Sequence, residues 1–204
     1  MGIKQRRTRE KQEVRQGILT AAREIAQQDG WQAVTIRKVA ERIEYSPPTI
    51  YEYFDSKEKI LFTLYCDGFA QLAEALRGAI NAETDYEERI LKMGEAYWEF
   101  ARRNPELYQV MNGMNGVPLN CDEKPHDLES AFTLAVGALN DWAESKGIVL
   151  HDVEGAVDML RSFLHGLVAL VMVDDIMGGE QRARQLLRRG FRDMLTAWSV
   201  QKAD

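Results

Sequence analysis

The chain is poor in several residue types, and each shortage excludes something. Of its 204 residues only 2 are cysteines, Cys66 and Cys121, with no Cys-x-x-Cys pair and no histidine pair beside them. A disulfide scaffold and a zinc framework are therefore not expected, and a reducing compartment is. With 5 prolines and 15 glycines the chain is neither collagenous nor a low-complexity linker. The most apolar run, residues 163–173, contains His165 and spans 11 residues, whereas a membrane span needs about 20. No membrane association is expected. The first residues, Lys4 to Arg9 included, lack the apolar core of a signal peptide, so the expected location is the cytoplasm. No glycine-rich phosphate loop, nucleophile elbow or Glu-x-x-His pair occurs. Hence no catalytic residue, no metal site and no cofactor is expected, and an all-helical enzyme carrying an incidental helix-turn-helix finds no support.

What is present points elsewhere. Hydrophobic residues make up 45% and charged residues 28%, enough for a proper core in a soluble chain. The net charge of −6 is unevenly spread: residues 1–58 hold 11 Lys/Arg against 9 Asp/Glu, and the rest holds 15 against 23. A basic front on an acidic body suits a terminal DNA-binding module, and it argues against a non-specific architectural DNA protein.

The stretch 35–54 organises the chain. Ile36, Val39, Ala40 and Ile43 fall at i, i+3, i+4, i+7, which makes one apolar helical face. Thr35 can cap that helix through its hydroxyl. Glu44 and Tyr45 form a turn. Ser46 offers a second cap, and Pro47 and Pro48 occupy first-turn positions where a missing N–H breaks no helical bond. The second helix buries Ile50 and Phe54 and leaves Pro47, Pro48, Thr49, Tyr51 and Tyr53 on or near the outer side. Hydroxyls and aromatic edges on such a surface can meet phosphates and thymine methyls in a major groove.

The pattern Thr35-x-Arg37-x-Val39-Ala40, followed by Ser46-x-x-Thr49-Ile50-Tyr51-x-Tyr53-Phe54-x-Ser56-Lys57-Glu58, resembles the TetR family of transcriptional regulators. The likeness is strong over residues 9–60; beyond that it is an all-helical plan of suitable length. One departure is Glu44, where the family often has Gly, so a residue with a side chain must make the turn. Carried over by position, the resemblance implies DNA contacts at Thr35, Arg37, Pro47, Thr49, Tyr51, Tyr53 and Lys57. Arg37 and the helix-start residues Pro47, Pro48 and Thr49, beside Ser46, are candidates for base edges. Tyr51, Tyr53 and Lys57 are candidates for phosphates.

The rest of the chain reads as helices. Residues 3–11 carry Lys4, Arg6, Arg7, Arg9 and Lys11, which form either an arm that meets phosphates or the minor groove, or a solvated tail. A first helix covers 9–29, with Val14, Ile18, Ala21, Ala22 and Ile25 as its buried stripe and Gly30 as its terminator. Asp55 and Ser56 open a long fourth helix to about 80, with Glu58 in capping-box spacing from Asp55. Further helices are expected at 85–103, 105–112, 126–146, 152–175 and 180–201, with a loop at 113–125 and a joint at Gly178 and Gly179. The expected fold is all-α: a three-helix DNA-binding domain with a helix-turn-helix, residues 1–55, and a six-helix effector-binding and dimerisation domain, residues 56–204. The helix around 163–173 is apolar nearly all round and needs cover on more than one side. A homodimer formed through the last two helices would supply it, and its twofold axis would suit a palindromic operator. Arg182, Arg184, Arg188, Arg189 and Arg192 are expected to form a solvated or salt-bridging face against the acidic body, not a DNA patch.

In the family, the body encloses a small-molecule inducer. The matching candidates are Tyr65, Phe69, Tyr97, Phe100, Met111, Phe132 and His165; taken singly, each reads first as core. Their Met and aromatic character suggests an apolar or aromatic effector. The function so implied is a TetR-like regulator of transcription, a repressor released by its effector from double-stranded operator DNA. Activation by the same architecture stays open.

Overall fold

The computed structural model describes residues 3–114 and 126–200. Gly116, Pro118, Cys121 and Pro125 of the expected loop, the side chain of Leu128, and Gln201 lie outside the described residues. The elements, in order, are α1 (Ile3–Asp29), a short 3-10 turn (Trp31–Ala33), α2 (Ile36–Arg42), α3 (Pro47–Tyr51), α4 (Lys57–Asn81), α5 (Tyr86–Arg103), α6 (Pro105–Met111), α7 (His126–Lys146), α8 (Val153–Met172) and α9 (Gly179–Val200). Among the described residues there is no strand, and the all-α expectation holds. The chain forms two compact units, Met1–Gly68 with Asn104–Glu123, and Phe69–Arg103 with Lys124–Asp204. Helix α4 runs unbroken from the first into the second.

In the first unit, α1 begins at Ile3, about two turns before the expected start near residue 9. The basic run read as an arm is therefore helical. Ion pairs at i, i+4 spacing, Arg6 with Glu10 and Arg9 with Glu13, each at 3.3 Å, favour the helix there. Packing starts at half-buried Val14, and Ile18, Ala22 and Ile25 are buried as expected. Gly30, at φ 80, stops α1 and starts the turn that buries Trp31. Helix α6 completes this unit, with Leu107, Tyr108 and Val110 fully buried. It lies close to α4: a Cβ on Gly68 would sit 2.6 Å from the Met111 sulfur.

The cap of α4 differs from expectation. Ser56, not Asp55, accepts the backbone N–H of Lys59 at 3.3 Å, so the helix starts one residue later. Glu58 then sits in the first turn.

The second unit packs α5, α7, α8 and α9. On α5, Ile90, Met93 and Phe100 are buried, whereas Tyr86, assigned to the same face, is exposed. Gly94 lets α5 approach α9; a Cβ there would meet the Phe191 ring at 2.7 Å. Three arginines of α9 bond acidic residues of α5, and Arg182 and Arg189 are exposed: Arg184 bonds Glu99 at 2.9 Å, and Arg188 bonds Glu88 at 2.8 Å and also Glu95. Arg192 bonds Glu88 at 2.9 Å. Asp152 caps α8 by accepting the Gly155 N–H at 2.8 Å. Helix α8 ends at Met172, earlier than expected, and Asp174 turns the chain at φ 54. It is 20 residues long and contains an 18-residue window with a mean hydropathy of 1.4, long and apolar enough to cross a bilayer by length and composition.

Candidate nucleic-acid interface

The helix-turn-helix forms as its caps and apolar spacing dictate. Thr35 has extended backbone and its hydroxyl accepts the Lys38 N–H at 3.2 Å, which caps α2. Val39 and Ala40 are fully buried. The turn is made at Glu44, in the left-handed region at φ 61, where glycine would be unstrained. Ser46 precedes α3 in the capping position, but its hydroxyl bonds no backbone N–H. The reason is in the next two residues: Pro47 and Pro48 have no N–H, and the first available donor, Thr49, bonds the Ser46 carbonyl at 3.0 Å. The Ser46 hydroxyl instead meets that of Thr49 at 3.0 Å.

Ile50 and Phe54 are buried at 0% and 1% exposure, and they pin α3 onto the unit. That orientation leaves Ser46, Pro47 and Pro48 exposed, and Tyr51 54% exposed. Thr49 and Tyr53 are half-buried. Arg37 stands out on α2 with its side chain 83% exposed, paired to Glu41 at 2.8 Å, and that carboxylate raises its pKa. Lys57 is less free than the sequence suggested. Its Nζ donates to the Trp31 carbonyl at 3.1 Å, and partial burial lowers its pKa. Two of its three N–H donors are left for another partner. All nine residues named from the sequence, Thr35 through Lys57, therefore belong to one compact unit.

Two side chains that sequence reasoning passed over hold this surface in place. Arg15 of α1 lies 4.8 Å over the Phe54 ring, a cation–π contact at the end of the recognition segment. Arg23 of α1 donates to Glu106 Oε1 at 2.8 and 2.6 Å and to Asn104 Oδ1 at 3.1 Å. Trp31 Nε1 donates to the Glu106 carbonyl at 3.1 Å. The available signal for the pair was Glu106 itself, a carboxylate opening the apolar helix α6. Nearby burial raises the pKa of Asp67 on α4, and Arg15 and Arg23 oppose that rise.

The seven effector candidates divide between the units: Tyr65 and Met111 in the first, and Phe69, Tyr97, Phe100, Phe132 and His165 in the second. Phe69, Phe100 and Met111 are buried; Tyr65, Tyr97, Phe132 and His165 are half-buried. Burial lowers the pKa of His165, and Arg161 adds to this.

A helical hairpin that exposes tyrosine and proline on its second helix, held on a small helical unit, defines a helix-turn-helix DNA-binding regulator. The description of bacterial regulatory proteins of the tetR family matches residues 18–64, and that of the tetracyclin repressor-like C-terminal domain matches residues 90–194. The chain belongs to the TetR family. It is 26% identical to the HTH-type transcriptional regulator YobS of Bacillus subtilis over 76% of each chain. It is 34% identical to the HTH-type transcriptional repressor KstR of Mycolicibacterium smegmatis over 48% of each, so that match spans about half the relative's length. The fold is shared with the TetR-family regulator PfmR of Thermus thermophilus, at a TM-score of 0.65 and 20% identity, over 88% of this chain and 97% of that one. The protein is thus a DNA-binding transcriptional regulator, a class of protein that is not enzymatic.

Proposed function

We propose that the protein is a cytoplasmic homodimeric repressor that reads a palindromic operator with paired α2–α3 elements and is released by a small apolar or aromatic effector. The observation that carries the reading is the outer side of α3. Tyr51 is 54% exposed directly beside fully buried Ile50, and Pro47 and Pro48 are exposed at the helix start. An exposed aromatic beside prolines contributes little to stability or solubility, but it suits a groove. On this reading residues 1–55 form the reading domain and residues 56–204 the effector and dimerisation domain. Arg37, Pro47, Pro48 and Thr49 face base edges beside Ser46, and Thr35, Tyr51, Tyr53 and Lys57 hold the backbone.

The dimer is supported by α8 and α9. Met159, Leu170 and Val173 are exposed at 54%, 40% and 69%, and Ser162 and Gly166 share their side of α8. On α9, Leu186 and Met194 are half-buried and Ala197 and Val200 exposed, at helical spacing. A second copy would cover both stripes. Repression is supported by likeness to KstR, named a transcriptional repressor. The effector is supported by the Met and aromatic content around Phe69, Tyr97, Phe100, Phe132 and His165, together with Tyr65 and Met111. Trp98 and Trp142 add buried indole N–H groups that have no acceptor among the described residues. An unpaired buried donor costs about 1–3 kcal/mol, which an oxygen on an effector would recover.

The test is selection of duplex DNA from a random pool with the full-length protein. An inverted repeat should be enriched, with half-sites about one helical turn apart. Tyr51→Phe should then weaken binding by roughly 1 kcal/mol, or about fivefold, at every operator variant alike. Enrichment of an asymmetric site would sink the dimeric reading. A loss confined to one variant would move Tyr51 from phosphate to base.

A further inference from the structure

Lys57, read above as a phosphate contact, ends a chain of hydrogen bonds that begins outside the helix-turn-helix. Its Nζ donates to the Trp31 carbonyl at 3.1 Å. That oxygen also accepts the Val34 N–H at 3.3 Å, so the turn after Gly30 holds it as well. The Trp31 side chain is buried, and its Nε1 donates to the Glu106 carbonyl of α6 at 3.1 Å. Glu106 is itself gripped through its carboxylate by Arg23 of α1, which bonds Asn104 too. One buried residue, Trp31, thus joins the start of α6 to the start of α4. Every link lies within the first unit. A surface lysine ordinarily samples many rotamers, and ordering it on a partner opposes binding. Lys57 is ordered already, and partial burial has stripped some of its water.

We propose that Trp31 is a positioning residue for operator binding: its carbonyl holds the Lys57 ammonium ready for a phosphate, and its indole bond to Glu106 holds the carbonyl. The inference rests on the reading of Lys57 as a phosphate contact and adds the residues that aim it. The Trp31 oxygen occupies one of the three ammonium N–H groups and leaves two for the phosphate. The bond therefore narrows the directions open to Lys57 without using up its charge. Because a phosphate contact carries no sequence information, loss of this positioning weakens all operators alike. Trp31 acts on DNA only through Lys57, so its effect vanishes when Lys57 is gone.

The experiment is a double-mutant cycle on the full-length protein and the operator enriched by selection. Trp31→Phe keeps a ring but removes the indole N–H. It should weaken operator binding about threefold per bound protomer, the cost of ordering one freed lysine. Lys57→Ala should make the log–log salt dependence shallower by about 0.9 per protomer. With Lys57→Ala in place, adding Trp31→Phe should cost nothing more. An equal loss from Trp31→Phe in both backgrounds would show that Trp31 serves only the fold, and would overturn the positioning while Lys57 keeps its phosphate. Unchanged affinity and salt slope in Lys57→Ala would overturn the phosphate contact and the positioning together. A measurement on the wild type alone guards against a variant that does not fold. Nuclear magnetic resonance of the lysine side chains should show the Lys57 ammonium more ordered than that of exposed Lys11. Equal mobility would overturn the positioning.

Discussion

In the first unit a carboxylate, Glu106, is buried to 2% exposure and takes two bonds from Arg23 on one oxygen, at 2.8 and 2.6 Å. In the second unit Trp98 and Trp142 are buried to 1% with no acceptor for their N–H groups among the described residues, just as the second Glu106 oxygen in the first has no donor there, and the arginine–glutamate bonds lie at the edge of the packing. The first unit therefore ties α1 to α6 by bonds with a direction. The second holds its helices chiefly by shape. Directional bonds specify one arrangement, whereas apolar packing tolerates repacking as long as volume is kept. A surface that must match DNA gains from the first property, and a body proposed to receive an effector or a second subunit gains from the second.

The comparison breaks most easily at Arg23. Arg23→Ala leaves Glu106 buried and uncompensated, which should cost roughly 3 kcal/mol, read from denaturant unfolding. Arg23→Met with Glu106→Leu should recover most of that loss, because no buried charge is then stranded. A single-variant cost below that of an ordinary surface substitution would show that the pair is not what joins α1 to α6. Gly94→Ala probes the other unit. Its Cβ would fall 2.7 Å from the Phe191 ring, which is itself buried to 3%. Overpacking of this kind should cost about 2 kcal/mol. A neutral Gly94→Ala would mean that α5 and α9 can move apart freely, and the contrast between the units would sharpen.

These two sites also mark where the sequence was legible and where it was not. Helix existence followed from periodicity and caps: Thr35, Pro47, Asn104–Pro105 and Gly147 mark boundaries that the structure reproduces within a residue or two. Burial of Ile50 and Phe54, which decides the outer side of α3, followed from their spacing of four. Three features did not follow. The start of α1 depended on pairing between Arg6 and Glu10 and between Arg9 and Glu13, and a basic run reads the same whether coiled or helical. The partnership of Arg23 with Glu106 joins residues 83 positions apart, which no local pattern encodes. Lys57 matched a motif as a phosphate contact, but its bond to the Trp31 carbonyl depends on how the turn after Gly30 packs.

The smallest effect concerns the turn between α2 and α3. Glu44 holds φ 61 with its side chain exposed, so its Cβ strains against the backbone and gains no packing in return. The left-handed conformation costs a non-glycine residue about 1–2 kcal/mol. Glycine removes that strain but loses more entropy on folding, by roughly 0.5–1 kcal/mol. Glu44→Gly should therefore stabilise the protein by about 0.5 kcal/mol, read as a rise in the denaturant midpoint at unchanged slope. It also removes a negative charge beside the proposed DNA surface, so operator affinity should rise at low salt and the gain should fade as salt increases. Destabilisation by Glu44→Gly would show that the carboxylate makes a contact worth more than the strain. In that case the turn, and not only the helices it joins, would belong with the directional part of the first unit.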